Sequence, residues 1–111
     1  MAVISNLSVD QDATFTVEVA VSDNDGATLD LTGYTAEGQI RKTYTSSTSI
    51  DFTATIAAPT TGNVNISLTA AQTGAMKPGR YVYDVEITND GGTTVTRILE
   101  GQVEVTPSVT R

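Results

Sequence analysis

Histidine, cysteine and tryptophan are absent from the 111 residues, and only six side chains are cationic. Each absence removes chemistry. Without His or Cys the chain cannot assemble a Ser-His-Asp or Cys-His nucleophile, a Cys/His zinc site or an imidazole proton shuttle. Without Cys there is no disulfide framework, so a hydrophobic core must hold the fold alone, which 111 residues suffice to build. The six cations, Arg41, Lys42, Lys77, Arg80, Arg97 and Arg111, are scattered among thirteen Asp and Glu, for a net charge of −7. A phosphate-backbone binder needs a clustered basic face, so nucleic acid is not an expected partner, and neither is an anionic membrane surface. No apolar run approaches the roughly 20 residues that span a bilayer. Met1 to Leu7 lacks a basic n-region and a long apolar stretch, so no signal peptide is expected and the product is expected to stay in the cytoplasm where it is made.

What is present is threonine, at twenty positions, and valine, arranged with period two. Phe15, Val17, Val19 and Val21 alternate with Thr14, Thr16, Glu18 and Ala20, which predicts a half-buried strand over 13–21. Tyr34, Ala36, Ile40 and Tyr44 define one face of a second run, with Gly38 marking a bulge or a close backbone approach. Ser46-Ser47-Thr48 reads as a connection. Ile50, Phe52, Ala54 and Ile56 form the next strand, Pro59 to Gly62 breaks it, and Val64, Ile66 and Leu68 return antiparallel to it. Thr69-Ala70-Ala71-Gln72 is a short capping box that Gly74 stops. Tyr81, Tyr83, Val85 and Ile87 then alternate up to Asn89-Asp90-Gly91-Gly92, the strongest hairpin signal in the chain. The last strand covers about 94–105, with Leu99, Val103 and Val105 inward and Gly101 expected at a bulge, before Pro107 ends the ladder.

With a short strand over 2–7, that makes about seven strands. The predicted fold is all-β, an immunoglobulin-like antiparallel sandwich with one helical turn near 69–75. One domain spans 1–111, with 1–8 as an N-terminal arm or edge strand and 106–111 as a short C-terminal tail. The Cys-Trp-Cys set of antibody domains is missing.

The chemistry-bearing candidates each have a plainer reading beside them. Asp23, Asn24 and Asp25 before Gly26 resemble part of a calcium loop, yet the bidentate Glu is missing where Leu31 and Thr32 stand, and acidic turns hydrogen-bond their own backbone. Asp84 and Glu86 share a strand face about 6.6–6.8 Å apart. That overlaps the spacing of an inverting glycosidase pair, and equally suits a solvated face. Tyr81 and Tyr83, with Tyr34 and Tyr44, could line a sugar platform or pack inward with their hydroxyls at the rim. Gly91 and Gly92 lie between strands, so they cradle no phosphate.

Three stretches resemble a known family. Gly26-Ala27-Thr28-Leu29-Asp30-Leu31-Thr32-Gly33-Tyr34 is similar to the opening of small sandwich domains in tailed-phage virion proteins, the N-terminal domain of the baseplate upper protein among them. Leu68-Thr69-Ala70-Ala71-Gln72-Thr73 with Lys77-Pro78-Gly79-Arg80-Tyr81-Val82-Tyr83-Asp84-Val85, and the close Ile98 to Val105, resemble further segments of it. The resemblance covers roughly 14–110 and rests on turn glycines, core tyrosines and alternation. It implies no catalytic residue and no cofactor. It implies a virion protein assembled in the host cytoplasm, a capsid decoration or attachment piece gripping other virion proteins in symmetric copies. A baseplate, tail-fibre or neck adaptor is the variant of that expectation. Val3, Ile4, Leu7, Val105 and Val109 are the expected partner contacts, through strand addition at the two termini. A carbohydrate-binding module and a carboxylate hydrolase are the alternatives from other classes.

Overall fold

The computed structural model describes residues 3–22 and 26–109, and within them nine strand segments form two packed sheets. The larger sheet holds β1 (Val3–Ile4), β2 (Leu7–Asp10), β4 (Thr35–Arg41), β5 (Ile50–Asp51), β8 (Gly79–Thr88) and β9 (Val95–Thr106). The smaller holds β3 (Phe15–Ala20), β6 (Thr53–Thr55) and β7 (Asn63–Leu68) in the order β3-β7-β6. β1 and β2 are one edge strand interrupted at Ser5 and Asn6. β5 and β6 are one pass that leaves the larger sheet at Phe52, whose N–H still donates to the Gly38 carbonyl at 2.9 Å, and joins the smaller. Nine segments thus reduce to the seven strands that the alternation predicts, in an all-β sandwich.

The core lies between the inner faces. Val64, Ile66 and Leu68 from β7 meet Ile40, Tyr83, Val85 and Ile87 from the larger sheet, with Val9, Val103 and Val105 beside them, all buried. Phe52 packs across the gap against both sheets, its ring 6.3 Å from Phe15 and edge-on to Tyr83 at 6.0 Å.

One pairing differs from the antiparallel expectation. β1 and β2 run parallel to β9, in the register Val3↔Leu99 and Leu7↔Val103 to Asp10↔Thr106. The Asn89–Gly92 turn has already joined β8 to one edge of β9, leaving the other open to the far end of the chain. Parallel pairing needs no tight turn, so neither local pattern nor turn chemistry announces it.

Two glycine readings resolve. Gly38 is a close approach, since a Cβ there would lie 2.9 Å from the Asp84 carbonyl oxygen and 3.0 Å from the Phe52 ring. Gly101 is also a close approach, not the expected bulge: a Cβ there would collide with the Ser5 carbonyl oxygen. The bulge is three residues earlier. Pairing passes from Val85↔Leu99 to Glu86↔Arg97, leaving Ile98 as the extra residue and burying Ile98 and Leu99 in succession.

The capping box forms as the sequence predicts. Thr69 Oγ1 accepts from the Gln72 N–H at 3.1 Å and Gln72 Oε1 accepts from the Thr69 N–H at 2.9 Å, opening α1 (Ala70–Gly74). This one turn ties the two margins of the sandwich together. Gln72 Nε2 donates to the Asp51 carbonyl at 3.0 Å, and the buried Thr73 hydroxyl donates to the Ala13 carbonyl at 2.9 Å, just before β3. The chain then turns through Lys77-Pro78-Gly79, and Tyr81 Oη donates back to the Lys77 carbonyl at 2.8 Å. That is the tyrosine corner of immunoglobulin-like sandwiches. Lys42 lies over its ring, 4.7 Å from the centroid.

Candidate interaction surface

The two outer faces differ in kind. On the larger sheet, β4 and β8 lie in the register Glu37↔Glu86 and Gln39↔Asp84, and β8 and β9 in the register Asp84↔Glu100 and Glu86↔Arg97. Period two therefore collects these side chains on one face. Arg97 sits among the carboxylates, with Nε 3.4 Å from Asp84 Oδ2 and Nη1 3.5 Å from Glu100 Oε2. Arg41 is held at one end, donating to the Ser46 carbonyl at 2.6 Å and to Gln39 Oε1 at 3.0 Å. The result is a shallow depression lined by Glu37, Gln39, Asp84, Glu86 and Arg97, with Tyr44 at its rim. Among the described residues no group of His, Cys, Asp or Glu has the arrangement of a metal site.

The smaller sheet presents Thr16, Glu18 and Ala20 from β3, Thr53 and Thr55 from β6, and Asn63, Asn65 and Ser67 from β7. Glu18 is charged, Ala20 is apolar, and the rest are small and polar. Such a face is well hydrated.

The sheet edges differ as sharply. At one margin the pass through Phe52 changes sheets and closes the sandwich, leaving β5 and β6 as free edges of two and three residues. At the other margin the N-terminal strand is broken at Ser5 and Asn6, while β3 runs six residues without interruption and pairs on one side only, with β7. Its inward residues Phe15, Val17 and Val19 are half-buried, whereas their ladder partners Leu68, Ile66 and Val64 are fully buried.

The candidates from the sequence land as follows. Val3 is 62% exposed, Ile4 77% and Val109 93%. Leu7 is half-buried and packs on the core. Val105 corrects the expectation: it is 2% exposed, between the sheets opposite Val9 and Gly79, and offers no surface to a partner. Asp23, Asn24 and Asp25 lie outside the described residues. Asp84 and Glu86 stand on an open sheet face, and Arg97 engages Asp84. Tyr81 is spent in its corner. Tyr83 is buried and donates to the Ser5 carbonyl at 2.5 Å, and burial pushes its hydroxyl above the ordinary phenol range against the opposing pull of that bond. Tyr34 is half-buried. Tyr44, expected in the second strand and either on a sugar platform or packed inward, is 83% exposed, because β4 ends at Arg41 and Tyr44 falls in the connection beyond it. No row of tyrosine rings forms.

The motif Asp30-Leu31-Thr32 resolves into turn chemistry. Leu31 is buried, and Asp30 Oδ1 accepts from the Thr32 hydroxyl at 2.6 Å and the Thr32 N–H at 3.0 Å. Those bonds, the hydroxyl first, hold the Asp30 carboxyl below its usual range.

Sequence reasoning did not find the β3 edge. The signal was present in the strong alternation of 13–21, but which strands become edges depends on long-range order.

No family model and no curated protein matches the sequence. Among solved structures, InlP of Listeria monocytogenes is similar over 92% of this chain, at 17% identity and a TM-score of 0.49. This chain spans 26% of the InlP chain.

Proposed function

We propose that the protein is a bacteriophage virion structural or accessory part, a capsid decoration or attachment piece that holds other virion proteins through the edges and faces of its sheets. The observation that carries this reading is the open margin. A sandwich closed on one side by a sheet-switching strand presents on the other the free edges of both sheets, β1–β2 and β3, the kind of element through which β proteins grip one another. The resemblance to tailed-phage sandwich domains supports the setting. Its matching segments are those that build the Asp30–Thr32 turn, the α1 capping box and the tyrosine corner. A domain held rigid at these corners suits a part that works by shape. Many copies on a symmetric lattice would turn modest contacts into lasting attachment through avidity. Mass spectrometry of purified particles tests the proposal. Stoichiometric recovery of the chain with capsid, neck or tail proteins is the expected result, and absence from particles overturns it.

A further inference from the structure

The unpaired edge of β3 has a defined polarity. The Val21 N–H donates to the Gly62 carbonyl at 2.7 Å, continuing the β3–β7 ladder. Backbone groups of successive strand residues point to opposite sides, so Phe15, Val17 and Val19 turn theirs to β7. Thr16, Glu18 and Ala20 turn theirs to the open margin. Three N–H and three C=O groups are therefore aimed, in strand geometry, at whatever lies alongside.

We infer that this edge pairs with the same edge of a second copy, antiparallel about a two-fold axis at Val17. The choice of occupant rests on register. Directly opposed residues of an antiparallel pair share a face, and a one-residue slip would set inward side chains against outward ones. Two registers then keep nearly the whole strand paired. One sets Glu18 opposite the partner's Glu18, a like-charge pair that opposes association. The other sets Val17 opposite the partner's Val17, Phe15 opposite the partner's Val19, and Glu18 opposite the partner's Thr16. In this second register each apolar side chain meets an apolar one, each Glu18 meets a hydroxyl, and the narrow Thr16–Glu18 pairs are those whose backbone groups face outward. The half-buried row Phe15, Val17 and Val19 gains cover from its copy. The contact is isologous, so it consumes both β3 edges and closes at two copies without propagating into a fibre, and it leaves the β1–β2 edge and the outer sheet faces to other proteins.

The inference rests on the edge itself and not on residence in a particle. A monomeric protein recovered from particles would overturn the pairing alone, and a dimer absent from particles would overturn the virion reading alone. Sedimentation equilibrium of the whole chain over a wide concentration range is the test, with circular dichroism to verify that each variant is folded. A reversible monomer–dimer equilibrium is expected. Thr16 is exposed on the outer face, so its substitutions leave the core intact. Thr16→Glu opposes two carboxylate pairs and raises the dissociation constant roughly two- to thirtyfold, while Thr16→Lys creates two opposite-charge pairs and lowers it by a similar factor. Glu18→Pro removes an outward N–H without touching the β7 ladder and abolishes the dimer. A monomer at every concentration overturns the inference. So does a dimer indifferent to Glu18→Pro, or one that Thr16→Lys weakens as much as Thr16→Glu does.

Discussion

The two margins of this sandwich use opposite solutions to the same problem. At the closed margin a single pass, Ile50 to Thr55, serves both sheets, so Phe52 is enclosed from both sides and the remaining edges are too short to template another strand. At the open margin each sheet ends in its own strand. The larger sheet's is the broken β1–β2 pair on β9, and the smaller sheet's is β3, so Phe15, Val17 and Val19 keep part of their surface in water. Burial is a property of the margin and not of the residue type. Val19 and Val64 are ladder partners of identical chemistry, yet Val64 has no exposure and Val19 is half-buried. The closed margin withdraws its apolar side chains from water more completely than the open one.

The largest test of that contrast removes the closing side chain. Phe52→Ala leaves a void bordered by Phe15 and Tyr83 and is expected to cost about 3–5 kcal/mol in denaturant unfolding. A cost below about 1 kcal/mol would show that Phe52 does not close the margin.

Next comes the matched pair. Val64→Ala is expected to cost about 2 kcal/mol, and Val19→Ala roughly half that, because part of the Val19 side chain already meets water. Equal losses at the two sites would mean that the β3 edge is covered in solution, which dilution of the wild-type protein would then reveal as a concentration-dependent midpoint.

Thr73 probes the tie between the margins. Its hydroxyl is buried and satisfies the Ala13 carbonyl. Thr73→Val keeps the volume but leaves that carbonyl without its hydroxyl donor, for a loss of about 1–2 kcal/mol. Hydrogen exchange should quicken at the start of β3 while the Asp51 end, held by Gln72, stays protected. Uniform exchange at both ends would show that α1 does not link them separately.

How much of this was legible in the sequence follows from which interactions are local. The β3, β7 and β8 alternations are period-two patterns a few residues long, and the capping box Thr69 to Gln72 closes within one turn. The Asn89 turn is equally local, its Oδ1 accepting from the N–H groups of Thr93 at 2.8 Å and Thr94 at 2.9 Å. All of these were readable. Partners distant in the chain were not. The parallel seat of Leu7 beside Val103, the closeness of Ser5 to Gly101 and the unpaired side of β3 follow from sheet order, which alternation leaves open. The same limit misplaced Val105, whose parity gave an inward residue but whose nearness to the C-terminus suggested a contact site. It also hid the charged outer face, because Glu37, Asp84, Arg97 and Glu100 come from three strands.

That face supplies the smallest effect and the sharpest separation of stability from association. The Arg97 side chain is half exposed and its two ion pairs are 3.4 and 3.5 Å long, so solvent and salt screen them. Arg97→Ala is expected to change unfolding free energy by about 0.5 kcal/mol or less, with the difference vanishing in high salt. It should leave dimerisation through β3 unchanged, because that edge belongs to the other sheet. A change in the dissociation constant with Arg97→Ala as large as with Thr16→Glu would place the self-association on the larger sheet. The open margin would then have no claim to be the associating side.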